Sequence, residues 1–262
     1  MTASELFQAG HLRAAIDAQI QKVKANAADQ GARFFLFELF LFAGDMDRAR
    51  KQLDVLRYDK PEALAAIEAF RKALDAETAR RAVLSGRARP KFLKDVPPHA
   101  ELRLSALAAY AAGNVAGGDA LLDQANAEAP AVAGQLNDES VPALRDADDL
   151  FGTILEVFGG SEYCWVPLEQ VEALTMNPVA TPRDVVWRPA NLALHDGPEG
   201  DVLLVGLYAG SHAHADEAVA LGRVTDWIGA DDAPTRGAGS RLFVAGDKWV
   251  GLNDWRTLHR PD

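Results

Sequence analysis

The stretch AGHLRAAI at residues 9–16 decides the fold of the first half of the chain, because it recurs as AGDMDRAR at residues 43–50. The glycines of the two copies, Gly10 and Gly44, lie 34 residues apart, and AGNV at residues 112–115 follows close to two periods later. Glycine lacks a Cβ, so it can end a helix in a left-handed conformation that other residues avoid. This spacing predicts repeated helix–turn–helix units.

The residues around each glycine support this prediction, which resembles the tetratricopeptide repeat. Ala15 and Ala49 are small residues five positions after their glycines, where they let two helices pack closely. Asp45 and Asn114 can cap the following helix by accepting a backbone N–H bond. We expect helices at residues 2–9, 11–25, 31–43, 45–57, 61–84, 98–112 and 114–128. The stretch 61–97 departs from the period and predicts one long helix followed by a basic linker.

Charge and aromatic content divide the chain into two parts. Residues 1–130 hold 18 Lys and Arg against 17 Asp and Glu, whereas residues 131–262 hold 9 against 21. All five Trp lie in the second part and eight of the eleven Phe in the first. The break predicts a helical domain at 1–128, an acidic linker at 129–147 and a C-terminal domain at 148–262. An acidic second part excludes nucleic acid as an expected partner, because phosphates would be repelled.

The second part has the mixed pattern of an α+β domain. Strands are expected at residues 163–166 and 201–208, and a β-hairpin at 241–250. Asp148 and Asp149 suit the positive end of a helix, which predicts a helix at 149–158. The expected fold class is therefore α+β, with an all-α tetratricopeptide-like array followed by a smaller mixed α+β domain.

Composition indicates a globular protein of a reducing compartment. Apolar residues make up 48% of the chain and charged residues 25%, which is ordinary for soluble domains. The longest apolar run, at residues 34–43, contains Glu38 and is half the ~20 residues that a membrane span needs. The first residues lack the basic segment and apolar core of a signal peptide. A single cysteine, Cys164, cannot form an internal disulfide. We expect a cytoplasmic protein with no membrane partner.

Five short motifs in the second part, which we call the family motifs, resemble the ImpE family, also called TagJ or SciE-type virulence proteins. They are VPLEQV at 166–171, RDVVWRPA at 183–190, LYAGS at 207–211, LGRVTDW at 221–227 and RGAGSR at 236–241. Each motif alone is weak evidence for the family, but their combination is specific. Ala209 stands where the family more often has proline, and Ser240 where it more often has glutamine.

The resemblance implies a role in the bacterial type VI secretion system. Family members are cytoplasmic accessory proteins associated with the contractile sheath. They bind an N-terminal helix of the small sheath subunit and are thought to modulate sheath assembly or recycling alongside the sheath-recycling ATPase. The resemblance implies no enzymatic activity and no cofactor. A general tetratricopeptide-like chaperone remains an alternative.

Two features of the first part are candidates for partner binding. One is the phenylalanine-rich helix at 31–43 and the other is the basic stretch at 71–94. An aromatic-lined groove of the repeat array would use Phe34, Phe37, Leu41, Arg80 and Arg81. The alternative is that the phenylalanines form the core and the basic residues form a solvated surface. The sequence leaves open which half holds the groove.

Charged residues within the family motifs predict a structural network in the C-terminal domain. Charge-assisted hydrogen bonds would join its members, with two tryptophans packed beside them. The expected members are Arg183, Asp184, Trp187, Arg188, Arg223, Asp226, Trp227 and Arg241. The alternative is a ligand-binding cleft built from the same residues.

An enzyme is the alternative from another class of function. If the segment after the strand at 201–208 were extended, His212, His214 and Asp216 would share one face and could hold a metal ion. The segment matches no established metal signature, and no phosphate-binding or nucleophile-elbow motif is present. We therefore expect no metal site, no catalytic residues and no enzymatic activity.

Overall fold

The computed structural model describes residues 1–229 and 233–260, and helices fill the first half of the chain. They are α1 (Ala3–Gln8), α2 (Leu12–Ala25), α3 (Gln30–Phe42), α4 (Met46–Asp54), α5 (Pro61–Leu84), α6 (Pro98–Ala111) and α7 (Val115–Glu128). Each of the seven helices predicted for this half is present, with ends that agree to within three residues.

The repeat glycines lie in the turns between paired helices, as their spacing predicts. Gly10, Gly44 and Gly113 have φ of +90°, +66° and +79°, values that side chains with a Cβ rarely adopt. Asp45 accepts a hydrogen bond from a backbone N–H in the first turn of α4, and Asn114 does the same for α7. The sequence signals for helix ends are confirmed at these turns.

The second half consists mainly of short antiparallel strands. They are β1 (Gly134–Leu136), β2 (Glu139–Val141), β3 (Leu144–Asp146), β4 (Ile154–Gly159), β5 (Glu162–Pro167), β6 (Val171–Met176), β7 (Trp187–Leu194), β8 (Glu199–Val205), β9 (Thr225–Ile228), β10 (Arg236–Gly239), β11 (Leu242–Ala245), β12 (Lys248–Gly251) and β13 (Thr257–His259). Two short helices, α8 (Arg183–Val186) and α9 (Glu217–Ala220), interrupt them.

The strands form one large sheet and two small ones. The large sheet has the order β2-β1-β13-β6-β7-β8-β4-β5, with β12-β11-β3 and β10-β9 as separate ribbons. The basic linker between α5 and α6 covers the β5 edge. There Lys91 donates its backbone N–H to the carbonyl of Tyr163 and accepts from the N–H of Trp165, both at 2.9 Å.

Two hydrophobic cores lie on opposite faces of the large sheet. Successive side chains of a strand point to opposite faces, so Tyr163 and Trp165 of β5 face the helices while Cys164 and Val166 face away from them. The first core joins α2 to α7 with one face of the sheet. The second core lies between the other face and residues that include Trp255. The helical half and the sheet thus share one buried core.

Two segments differ from expectation. The helix predicted at 149–158 is wrong, because residues 154–159 pair with β5 and β8 as strand β4. Asp148 and Asp149 do not open a helix; Asp148 accepts hydrogen bonds from the backbone N–H groups of Leu150 and Gly237 instead. The segment expected as an acidic linker, 129–147, carries β1, β2 and β3, which belong to two of the sheets.

The fold class is α+β, with helices first and the sheet second, and this prediction is confirmed. The division into two domains stays a prediction. Within the described ranges, no helix is both long and apolar enough to cross a membrane.

Candidate functional site between the helices and the sheet

A buried cluster of charges joins α5 to the sheet. Glu156 of β4 lies at its centre, where its carboxylate oxygens accept from Arg80 Nε at 2.7 Å and Arg80 Nη2 at 3.1 Å. Arg241 donates to the same carboxylate and also to Asp146 at the end of β3. All four side chains are almost fully buried. We call these four residues the paired arginine network.

Hydroxyl groups complete the hydrogen bonding of this network. Tyr163 donates to Glu156 and accepts from the indole N–H of Trp165 at 2.6 Å. Tyr208 donates to Asp146 at 2.6 Å. Burial alone would raise the pKa of Glu156, but the two arginines outweigh it and hold that pKa below its usual range. Each buried charge therefore has an opposite partner, which is the condition for tolerating charges in a core.

An interface cleft of about 290 Å³ opens beside the network, between the α3–α4 turn, α5 and the residues after β8. Leu41 and Phe42 contribute apolar wall, while Arg81 and His212 contribute polar groups. The Arg81 side chain is 39% exposed and pairs with Glu77 at 2.9 Å. The cleft is small and partly polar, and it adjoins the paired arginine network.

Side chains from the second half of the chain pack against two of the repeat turns. A Cβ on Gly44 would lie 2.4 Å from the His212 ring, so only glycine leaves room for that ring. At the first turn, Arg223 Nη2 donates to the carbonyl of Phe7 at 2.6 Å, and a Cβ on Gly10 would meet the same guanidinium at 3.3 Å. The repeat glycines thus shape both the helix ends and the contact with the sheet half.

A second and more apolar groove runs between the first half of α5 and the outer part of β7 and β8. We call it the α5–sheet groove. Its volume is about 630 Å³, and Phe70, Phe158 and Leu203 lie along it. Glu68, Lys72 and Asp201 supply charges at its rim. Exposed Ala69 of α5 also lines the groove, which leaves space beside that helix.

The residues predicted for partner binding do not form an open groove of the helical array. Phe37 and Leu41 are core residues, with exposures of 0% and 3%, and Arg80 belongs to the paired arginine network. Phe34 is half-buried, and Arg81 reaches the interface cleft. Phe37 is therefore a core residue, as the alternative to partner binding states, because residues 36–42 of α3 are all buried.

Those phenylalanines nevertheless support the α5–sheet groove from within. The ring of Phe70 lies 5.7 Å from that of Phe34 and 5.5 Å from that of Phe37. The guanidinium of Arg183 lies 5.2 Å and 5.0 Å from the Phe34 and Phe70 rings, and it pairs with Glu38 of α3 at 2.8 Å. The groove therefore has a rigid aromatic floor behind Phe70.

The charged residues of the family motifs lie in several places rather than in one network. Asp184 accepts from two backbone N–H groups of the turn before α8, at 2.7 and 2.9 Å. Arg188 is buried and donates to the carbonyl of Asn177, and Trp187 packs at 6.0 Å from Phe158.

The remaining members lie farther apart. Arg223 contacts α1, while Asp226 lies 3.1 Å from His214 beside half-buried Trp227. Of the predicted set, Arg241 alone joins the paired arginine network. The others divide between helix capping, contacts with the helical half and separate contacts within the sheet half.

The histidine segment does not have the extended conformation that the metal-site alternative requires. His212 lies in a single 3₁₀ turn, and Asp216 caps α9 by accepting from the N–H of Ala218 at 2.8 Å. His214 contacts Asp226 instead of its sequence neighbours' side chains. In the described part of the chain, no group of three or more His, Cys, Asp or Glu side chains is arranged to hold a metal ion.

Sequence reasoning missed the partners of Arg241 and Arg80. Glu156 is a single charge in the apolar strand ILEVFG, and such an interruption is a signal for a buried ion pair. Asp146 lies in the segment taken as a linker, so its role could not be found from composition. Arg103, which is fully buried in α6, was missed because a lone arginine in a helix has no distinguishing pattern.

These features define an α+β protein in which an array of helices closes one face of an antiparallel sheet. A family model described as ImpE protein matches residues 138–259. A relative from Pseudomonas aeruginosa, "Type VI secretion system accessory component TagJ", is 35% identical over 258 residues, covering 98% of this chain and 90% of the relative. The chain therefore belongs to the ImpE family, and the resemblance found in the sequence is confirmed.

A solved structure extends the comparison of the fold. The crystal structure of protein VPA1032 from Vibrio parahaemolyticus matches with a TM-score of 0.90 at 24% identity, covering 99% of this chain and 97% of that chain. The helical half and the sheet half thus occur together in the same arrangement in that protein.

Proposed function

We propose that this chain is a non-enzymatic accessory protein of a bacterial type VI secretion system and that it acts in the cytoplasm. The observation that carries the proposal is the 35% identity, over nearly the whole chain, to a relative with that role in its name. The family resemblance supplies the partner, which is an N-terminal helix of the small contractile-sheath subunit. Any effect of the sheath-recycling ATPase would then reach this protein through the sheath.

We infer that the partner helix docks in the α5–sheet groove. The groove has a volume of about 630 Å³, and its wall includes Phe70, Phe158 and Leu203. An amphipathic helix places apolar anchors on one face, and the aromatic floor at Phe70 and Phe158 suits such anchors. The interface cleft offers less than half that volume.

Charges at the rim of the groove would set the direction of the bound helix. Lys72 lies on one side, on α5, and Asp201 lies on the other side, on β8. Glu68 lies one turn before Lys72 on the same helix, so the charge changes sign along the α5 wall. This pattern favours one orientation of a partner that carries complementary residues. A contact of this kind must also release, so we expect a dissociation constant on the order of micromolar, ~−8 kcal/mol.

The test uses two arginine substitutions on α5. Ala69→Arg places a long charged side chain in the groove, whereas Ala66→Arg changes an exposed residue of the same helix outside the groove. We expect Ala69→Arg to weaken binding of a synthetic peptide of the sheath subunit's N-terminal helix at least tenfold in calorimetric titration. Ala66→Arg should bind as the unsubstituted chain does. Equal binding by both variants would contradict docking in this groove.

A further inference from the structure

Arg103 of α6 is a buried arginine that forms no ion pair with the residues that the structure describes. Its Nη1 donates to the carbonyls of Asp149 and Leu150 at 2.7 and 3.1 Å, and its Nη2 donates to Asn126 Oδ1 at 2.8 Å. All three acceptors are neutral. The Nε–H is buried and has no hydrogen-bond partner among residues 1–229 and 233–260.

The missing counter-charge is unusual for a side chain with an exposure of 0%. Burial and the nearby Arg145 lower the pKa of Arg103 to about 10, although the charges of Asp149, Glu169 and Asp146 oppose the shift. Arg80 and Arg241 are equally buried, yet ion pairs raise their pKa above the usual range despite that burial. Three carboxylates lie near enough to act on Arg103, and each already has another partner: Asp149 pairs with Arg145, Glu169 with His99 and Asp146 with Arg241.

A cavity of about 180 Å³ lies against this arginine, where the end of α7 meets β3 and the turn before β4. Thr153 lines the same cavity, and its hydroxyl is also buried without a described partner. Two residues that line this cavity therefore each carry a buried hydrogen-bond donor without an acceptor in the described part of the chain. Buried polar groups of this kind are rare and call for an explanation.

The rest of the cavity wall limits the ligand. Pro130, Val132 and Leu144 make most of the remaining surface apolar. Arg145 also lines the cavity but already pairs with Asp149, so Arg103 is the cation left without an ion pair among the described lining residues. Its charge matches a monovalent anion, and apolar walls match a short hydrocarbon group attached to that anion. A multiply charged phosphate would bring more negative charge than Arg103 offsets.

We propose that this cavity binds a small monocarboxylate, with its carboxylate at Arg103 and Thr153 and its alkyl group against Val132 and Leu144. The site is separate from the α5–sheet groove and does not depend on the proposed partner. A structural role, in which Arg103 holds the turn at 149–152, explains the hydrogen bonds of its Nη atoms. That role does not explain why the Nε–H and the Thr153 hydroxyl are buried without partners. A bound carboxylate would accept hydrogen bonds from both groups.

The experiment is titration of the full chain with sodium acetate and sodium butyrate at constant ionic strength, followed by calorimetry and thermal unfolding. We expect saturable binding of one carboxylate per chain, tighter for butyrate because each buried methylene strengthens apolar contact. Thr153→Val removes a hydroxyl that makes no described hydrogen bond, so the variant should fold. It should weaken binding about tenfold, because a hydrogen bond to a charged group is lost.

Thr181→Val is the matched control, because Thr181 also has a buried hydroxyl without a described partner but lies outside the cavity. It should bind both carboxylates unchanged. The proposal is overturned if Thr153→Val and Thr181→Val respond alike. It is also overturned if the unsubstituted chain gives no saturable response, or if chloride and phosphate stabilise it as much as butyrate.

Discussion

The paired arginine network and the Arg103 site are two buried arginine clusters at the same junction of helices and sheet. In the network, Arg80 and Arg241 share Glu156, and Arg241 also pairs with Asp146. Arg103 is as deeply buried and has only neutral acceptors. The difference indicates that the network is a structural joint, whereas the Arg103 site is suited to an anion from outside the chain. Four predictions test this contrast and the contacts around it.

The largest effect is expected for Glu156→Gln. It would leave Arg80 and Arg241 buried with too little negative charge, which costs ~3–5 kcal/mol when one partner of a buried pair is removed. Urea unfolding of the full chain measures the loss. Glu162→Gln is the control, because its exposed pair with Lys91 at 3.6 Å contributes at most ~1 kcal/mol. Similar losses for both variants would refute the structural role of the network.

Removal of a hydroxyl should distinguish the two arginine clusters. Tyr163→Phe deletes a donor to the Glu156 carboxylate and an acceptor for Trp165, so we expect a loss of ~1.5–3 kcal/mol. Thr153→Val without added anion should leave the unfolding free energy nearly unchanged or slightly raise it, because a buried hydroxyl with no described hydrogen bond is replaced by a methyl group. A larger loss for Thr153→Val than for Tyr163→Phe would reverse the interpretation of the two clusters.

The repeat turns give a smaller but well-controlled comparison. Gly44→Ala and Gly113→Ala both place a Cβ on a left-handed residue, which costs about the same at each position. Only at Gly44 does the new Cβ collide with His212; at Gly113 nothing lies within 4 Å. We expect Gly44→Ala to cost ~1–2 kcal/mol more in denaturant unfolding. Equal losses would mean that the His212 contact contributes little to stability.

The smallest effect concerns pH. Burial and the nearby Arg81 lower the pKa of His212, with Arg80 adding to the shift and Glu77 opposing it. The unfolded chain then binds more protons than the folded chain just below pH 6.5, so stability should fall as pH falls through that value. Thermal unfolding between pH 7.5 and 5.5 should show a weaker pH dependence for His212→Asn than for the unsubstituted chain. An unchanged dependence would show that His212 does not contribute.

The sequence predicts the helical half well and the sheet half only in part. Glycine spacing and cap residues such as Asp45 act locally, so they place helix ends without knowledge of tertiary contacts. The stretch at 149–158 looked like a helix because of its two leading aspartates, but pairing with β5 and β8 decides its conformation. Strand pairing depends on distant residues, and local signals cannot supply it.

The candidate sites were harder to predict for the same reason. Arg80 and Arg241 were singled out separately, one for a partner and one for a domain network, and only the fold shows that they share Glu156. Phe34 and Phe37 are candidates for either a groove or the core, and in the structure they support Phe70 from behind. The sequence identified residues near the functional surfaces but not the surfaces themselves.

The most direct test of the central claim is calorimetric titration of the full chain with a synthetic peptide of the small sheath subunit's N-terminal helix. The account predicts saturable binding of one peptide per chain, with a dissociation constant on the order of micromolar. Burial of apolar surface in the α5–sheet groove should also give a negative heat-capacity change. A response that a scrambled peptide reproduces, or no saturable heat at all, would contradict the proposed partner.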